Sequence, residues 1–521
     1  MVIFLINSLF GIFLTYKMVG ILLKRLRISV KACILLYFIF ENLREQIMTG
    51  YLKYGDPLPS MSQLCENYHV GIRTVKDVLA ALKKEGLIHT EERRPSIVAY
   101  QPDREVQKEH AIRSVLERRH TILEVYRTME LIMPRLFAFS VVSCGGEKVS
   151  LSFRQLKRSS KKEIAVRWKA SSAALHNLLD ASDNLLFRDV FTSLEICARV
   201  PFFLEFRKSP AFSASYRAYK DPLWMLEAVN TGDPKEVRRC FQTMYHAIAG
   251  DVKQYMEELA VMVPFPAEEG QSYYYWSPEK GRDHYYMQIT RDLIDKIGVG
   301  TYRDGMFLPS EAALAEEYKV SVSTIRKAVA MLNKCGFCHT YNVRGTQVTL
   351  FNDDATVQCM KNRVFKNDTL LYLSGLQFMA VAVWPAAMLT AESMKGEARD
   401  LLEKIEQPGA VPLDLIMHSM AEHLSLRPFQ VILQEVSGLL HWGYYYSFYS
   451  DGSTQSNELN RRCRKAMDCL LEGEAEAFAR QLSLCYCHVL EVVREHMVQC
   501  GLYEAKNLVT PNPEDWEVTG E

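Results

Sequence analysis

Apolar residues recur at helical spacing through most of this chain, and at strand spacing in only two short places. Val75, Val78, Leu79 and Leu82 fall on one face of a helix that Gly86 stops as a C-cap. Before it, an apolar helix containing Leu43 and Ile47 ends at Gly50, and Pro59-Ser60 supplies an N-cap for a short helix carrying Leu64 and Tyr68. A turn over His69 to Gly71 joins the short helix to the long one, and Leu87 to Val98 reads as a pair of strands. The pattern then returns, ungapped, 250 positions later, so that Ile47 matches Ile297 and Val98 matches Val348. Gly50, Gly55, Leu58, Pro59, Ser60, Leu64, Tyr68, Thr74, Leu82 and Gly86 all recur.

Each copy reads as a winged helix-turn-helix. After each comes a long segment of helical periodicity, from about Val106 to Met262 and from Asp354 to about Cys500. The expected fold is mainly α with small β-wings, two winged helix-turn-helix domains alternating with two antiparallel α-helical bundles. The expected boundaries are an apolar and basic extension at 1–32, the first wing unit at 33–102 and the first bundle at 103–263. A linker at 264–282, the second wing unit at 283–351, the second bundle at 352–505 and a loose tail at 506–521 follow. Ser143-Cys144-Gly145-Gly146 reads as a break in the first helical region.

At 521 residues the chain needs several cores. The 62 basic and 62 acidic residues cancel, which argues against nonspecific coating of nucleic acid but leaves room for a local basic face. Arg73, Lys76, Lys83, Lys84, Arg93 and Arg94 concentrate on the first long helix and wing. The scattered cysteines fit a reducing cytoplasm. Cys335-Gly336-Phe337-Cys338-His339 matches the haem-attachment spacing, but it falls where a helix cap meets a buried strand, so chance is the better account. Val2 to Tyr16 is apolar and carries its positive charges after the run, unlike a secretory signal. It reads as an extension, or as a start assigned upstream of Met18, and not as a membrane span. The aromatic runs from Tyr273 to Trp276 and from His441 to Tyr446 are given no role. No phosphate loop, nucleophile elbow or paired metal motif appears, so the chain does not read as an enzyme.

The LPS triplet, the Val-x-x-x-Thr-x-Arg/Lys run and the glycine after the long helix resemble the DNA-binding domain of the GntR family of bacterial transcription regulators, in two copies. In a helix-turn-helix the second helix meets base edges through its first turn. The residues placed there are Arg73, Thr74 and Lys76 in one copy, and Ser321, Ser323, Thr324 and Arg326 in the other. Ser60 and Ser310 are expected to cap the preceding helix and approach phosphate, and Arg94, Arg344 and Gly345 are the wing-tip candidates. The copies depart from the family in having Ser62 and Ala312 where an arginine is usual, and in opening the long helix with Gly71-Ile72 and Ser321-Val322.

The helical regions are similar to the FadR-like effector domain of that family around Ile122 to Glu130, Leu175 to Asn184 and Leu226 to Val229. The resemblance implies a small-molecule effector, often a carboxylate, and a divalent metal held by an Asp and three His. Carried over by position, the first bundle keeps His176 and His246 but has Ser172 and Pro222 at the other two places. The second keeps Asp414 and His418, with Cys463 and the Cys487-His488 pair at the remaining positions, a set compatible with a divalent metal. Family members bind palindromes as homodimers. The expectation here is a cytoplasmic regulator of a double-stranded DNA operator, acting as an intramolecular pseudo-dimer or a homodimer. The alternative is a protein-interaction scaffold whose wings no longer bind DNA specifically.

Overall fold

A computed structural model describes residues 36–516 apart from 49, 51, 69, 92–93, 155, 157–163, 199–222, 263–273, 279–284, 299, 350–356, 358–359, 408–409 and 441–453. The apolar N-terminus, Arg93, Tyr273, Pro222 and the 441–446 aromatic run lie outside the described residues. In the first wing unit α1 (36–48) buries Ile39, Leu43 and Ile47. Ser60 begins α2 (Met61–Asn67) with a reciprocal cap: its hydroxyl accepts from the Gln63 N–H at 3.2 Å, and the Gln63 side-chain carbonyl accepts from the Ser60 N–H at 2.9 Å. The long helix α3 (Ile72–Lys84) buries Val75, Val78 and Leu82 on the face the spacing predicts. Strands β1 (Ile88–His89) and β2 (Ile97–Val98) pair antiparallel with Ile88 opposite Val98, and Pro57 bridges to Ile97.

The first bundle comprises α4 (Arg104–Glu117), α5 (Arg119–Ser152), α6 (Ile164–Ala181), α7 (Phe187–Ala198), α8 (Leu223–Asn230) and α9 (Pro234–Met262). Helix α5 is its axis, with α6, α7 and α9 packed round it. The Phe137 ring stands edge-on to Phe191 at 5.6 Å and lies 4.8 Å from Phe241. The predicted break falls at Gly145, whose φ of 73° and ψ of 156° leave the helical region, so that α5 is two helices meeting at a kink, the second ending at Ser152.

The second wing unit repeats the first in α10 (Tyr285–Gly298), α11 (Glu311–Tyr318), α12 (Val322–Lys334), β3 (Cys338–Tyr341) and β4 (Gly345–Val348). The repeat extends to tertiary contacts. The Tyr68 hydroxyl donates to Asn42 Oδ1 at 2.6 Å, and at the same offset Tyr318 donates to Asp292 Oδ2 at 2.5 Å. Phe307 bridges to Gln347 as Pro57 does to Ile97. Burial opposes the charge on Lys296, yet hydrogen bonds to Glu317, Tyr318 and Asp292 outweigh it and hold that ammonium above the ordinary lysine range. Cys335 and Cys338 are buried where α12 hands over to β3. The Ser310 hydroxyl caps α11 by accepting from the Ala313 N–H at 3.2 Å. Ser310→Ala is expected to cost about 1 kcal/mol, read as a lower denaturant midpoint; an unchanged midpoint would remove the cap from the account.

The second bundle contains α13 (Arg363–Met394), α14 (Ala398–Ile405), α15 (Pro412–His423), α16 (Arg427–Leu440), α17 (Thr454–Glu472) and α18 (Ala475–Gln499). Helix α13 is its axis and touches α15, α16 and α18. Pro134 within α5 and Pro385 within α13 mark the correspondence of the two axes. Both axial helices are long and apolar enough to cross a bilayer, but 61% and 89% of their most apolar windows are buried inside the protein, so they are core helices here. The tail expected to be loose is packed as far as Pro513. Gln377 donates to the Val509 carbonyl at 2.6 Å, Arg494 to the Leu508 carbonyl at 2.8 Å, and Cys487 to the Pro511 carbonyl at 3.3 Å. The buried carbonyls need donors, and the bundle supplies them.

The two bundles share one continuous core, which also takes in the second wing unit, whereas the first wing unit has a core of its own. Across the joint the Asn184 amide donates to the Ser374 carbonyl at 2.9 Å and to Gln377 Oε1 at 2.8 Å, and the Phe187 and Phe378 rings lie 6.3 Å apart. Asn184 Oδ1 also accepts from Leu186 and Phe187, so one amide both starts α7 and fastens it to α13. The reciprocal contact brings α16 onto α5, with the Arg427 N–H 3.5 Å from Glu124 Oε1. Arg135 of α5 lies over the Trp384 ring of α13 at 5.9 Å. The segment expected as a linker is anchored too: the Tyr274 hydroxyl is 2.5 Å from Ser193 Oγ, and Tyr275 lies 6.2 Å from Phe38.

Candidate nucleic-acid interface

The apolar stripe of α3 turns Val75, Val78 and Leu82 inward, so the helix period alone leaves Arg73 and Lys76 facing solvent with Thr74 half-buried between them. In α12 the same logic buries Ile325, Ala328, Val329 and Leu332 and exposes Ser323, Arg326 and Lys327. Neither recognition helix is covered by its own bundle at these positions.

The two first turns are built differently. Gly71 starts α3 without a side-chain cap, whereas the Ser321 hydroxyl accepts from the Thr324 N–H at 3.3 Å and lies 2.8 Å from Ser323 Oγ and 2.9 Å from Thr324 Oγ1. The hydroxyls of Ser321, Ser323 and Thr324, expected to face DNA, are thus already knitted together. Arg326 is engaged as well: its Nε and Nη2 donate to Glu311 Oε2 at 3.1 and 2.9 Å.

The wings differ in the same sense. Three residues, Asn342 to Arg344, link β3 to β4, and Gly345 follows them at a φ of 101° that a Cβ would strain. Arg344 stands exposed at that tip. Thr340 ties the wing to α12, accepting from the Asn333 amide at 2.7 Å and meeting Thr346 Oγ1 at 3.0 Å. The strands of the first wing are only two residues each, and Arg94 donates to Glu91 Oε2 at 2.8 Å. Each unit is also tied to its bundle through the first helix. Arg118 is ion-paired with Glu45, and Arg291 holds Asp368 through Nε and Nη2 at 3.1 and 2.9 Å. These four residues carry no motif signal, because the partners of each pair are far apart along the chain.

The implied metal sites are not assembled. His176 Nε2 is 2.7 Å from Glu195 Oε2, and Ser172 donates to the other oxygen of that carboxylate at 2.9 Å. His246 is largely exposed and paired with Glu130 at 2.9 Å instead. In the second bundle His418 is 72% exposed and faces Glu422, while Cys463 is buried with its sulfur 3.9 Å from that of Cys485. Among the described residues no group of three or more His, Cys, Asp or Glu could hold a metal ion. His418 faces outward and Cys463 inward, so the structure does not bring Asp414, His418, Cys463 and His488 together as a ligand set. What the first bundle does hold is a polar cluster: burial, with Glu195 nearby, raises the Tyr126 phenol well above its ordinary value, and His176 Nδ1 is buried without a hydrogen-bond partner.

Residues 37–98 and 285–348 each match the model of the family described as bacterial regulatory proteins, gntR family. Among curated proteins none matches the chain. Of solved structures, a GntR of Streptococcus agalactiae is 17% identical over 40% of this chain and 99% of its own, with a TM-score of 0.18. A putative transcriptional regulator GntR from Rhodococcus sp. RHA1 is 16% identical over 41% and 96%, with a TM-score of 0.19. E. coli McbR/YncC is 14% identical over 42% and 98%, with a TM-score of 0.20. With both wing units matched at a constant offset, the chain carries the gntR-family domain twice.

Proposed function

We propose that the chain is a sequence-specific regulator of double-stranded DNA, acting in the cytoplasm, whose two wing units read the two half-sites of an imperfect palindrome. The exposure of Arg73, Lys76 and Arg326 on the first turns of α3 and α12 carries this reading. Arginine can meet guanine O6 and N7 end-on, lysine can reach the same acceptors, and Arg94, Arg344 and Gly345 lie at the wings that flank them. Ser60 and Ser310 serve first as helix caps and bring the N–H groups of α2 and α11 towards phosphate.

The reciprocal contacts of the residues that start α7 with α13, and of α16 with α5, support a one-chain pseudo-dimer, because they place like elements of the two halves on each other's axis. DNase footprinting with the intact chain tests it: one chain should protect both half-sites of a selected sequence. Protection of a single half-site per chain would overturn the pseudo-dimer and favour a homodimer.

The effector reading is supported by the polar cluster of Ser172, His176, Glu195 and Tyr126 inside the first bundle. A small molecule that hydrogen-bonds to His176 Nδ1 would satisfy that orphaned ring nitrogen. Thermal shifts against a panel of mono- and dicarboxylates, lost in His176→Ala, are the expected result. No shift with any of them would remove the carboxylate effector. Binding of random duplex DNA that weakens steeply with salt separates the regulator from a scaffold, which would show no such dependence.

A further inference from the structure

The two readers are related by a constant offset, so any difference between them at one position is a difference in what that position does. At the first residue of the short helix the second unit has Glu311 and the first has Met61. Facing it on the recognition helix, the second unit has Arg326 and the first has Lys76. The acid and the arginine therefore occur together in one unit, and neither occurs in the other.

The geometry of the pair restricts what Arg326 can contact. Its Nε and one Nη2 proton are spent on Glu311 Oε2, at 3.1 and 2.9 Å. A guanidinium carries five N–H donors in a rigid plane, so the end-on edge formed by Nη1 and the outer Nη2 proton stays available. That edge matches the O6 and N7 acceptors of guanine. Arg326 is 68% exposed, so nothing covers the free edge. Glu311 is itself held in place, one residue after the Ser310 cap, where the positive end of α11 favours an acid. A carboxylate there also opposes the approach of phosphate, which lowers affinity for DNA irrespective of sequence. The first unit is the opposite case. Lys76 is a point charge on a flexible stem, no acid occupies the Met61 position, and Lys83 and Lys84 are exposed at the far end of the same helix.

We propose that Glu311 is a specificity-determining residue: it holds Arg326 end-on for guanine, so that the base pair under Arg326 is read by its edge while the matching base pair under Lys76 is met mainly by charge. Glu311 acts through Arg326 and is a positioning residue, not itself a base contact. The proposal rests on the DNA-binding reading above.

The test uses the full chain and sequences selected by it from a pool of random duplexes. Replacing guanine by adenine should weaken wild type about 5- to 150-fold at the base pair under Arg326 and little at the matching base pair under Lys76. Glu311→Gln should shrink that ratio towards one. It should also steepen the salt dependence of random-duplex binding by about one phosphate, as the released arginine turns to the backbone. Arg326→Lys should lose the ratio while keeping the charge. Met61→Glu with Lys76→Arg should create a guanine requirement in the other half-site, a gain that no loss of folding can imitate. An unchanged ratio in Glu311→Gln, or an equal guanine requirement in both half-sites of wild type, overturns the proposal alone. Failure of the wild-type chain to bind any duplex at low salt overturns the DNA-binding reading and this proposal with it.

Discussion

Phe378→Ala is expected to destabilise the protein by about 3 to 5 kcal/mol, the range for deleting a fully buried aromatic ring. Phe378 is 0% exposed on α13 and faces Phe187 of the first bundle across the joint. Its cavity therefore opens in a core that belongs to both halves, and neither bundle can collapse into it without pulling away from the other. Hydrogen exchange provides the sharper check. Protection should fall together in α7 and α13, because the two helices are locked by the Asn184 amide as well as by the ring pair. Loss confined to α13 would mean that the bundles open as separate units, and the pseudo-dimer would lose its mechanical basis.

The second large effect is on DNA. Combining Lys76→Ala with Arg326→Ala should weaken binding to a selected sequence by more than the about 1 to 3 kcal/mol of the Arg326 base-edge contact alone, since the charge of Lys76 is lost as well. The two sites lie on separate wing units with no shared partner, so their losses should add. The slope of affinity against salt should become shallower at the same time, since each substitution also removes a cation near the phosphates. Both side chains are solvent-exposed, so folding should be unaffected and a matched denaturation midpoint is the control. A loss of less than about twofold in the double variant would move the DNA contacts away from α3 and α12.

A family model covering only the wing units leaves the helical regions to be understood from their packing. There the observations redistribute the roles expected of particular residues. His176 is held by Glu195 and His246 by Glu130, so two residues carried over as metal ligands are hydrogen-bonded to separate carboxylates. The exposed turn of His418 and the buried pairing of Cys463 with Cys485 do the same for the second bundle. A ligand set carried over by position assumes that each helix keeps its rotation about its axis.

Local interactions made much of this protein readable along the chain. The helix period places Val75, Val78 and Leu82 inside and Arg73 and Lys76 outside, Ser60 and Ser310 cap as their residue type dictates, and Gly86 and Gly345 mark the positive-φ positions. A constant offset then doubles every such inference. The order of wing, bundle, wing, bundle was legible for the same reason, since each element is specified by neighbours within a few turns.

Only the tertiary structure decided the contacts that span many residues: Asn184 on Gln377, Arg291 on Asp368, Tyr274 on Ser193, and the tail carbonyls on Gln377, Arg494 and Cys487. It also decided that Glu311 rather than solvent occupies one edge of Arg326. Periodicity records which face of a helix is apolar, and says nothing of which other face it meets. That choice is made when separate surfaces compete to leave water, and its outcome depends on shapes and polar partners distributed over the whole chain.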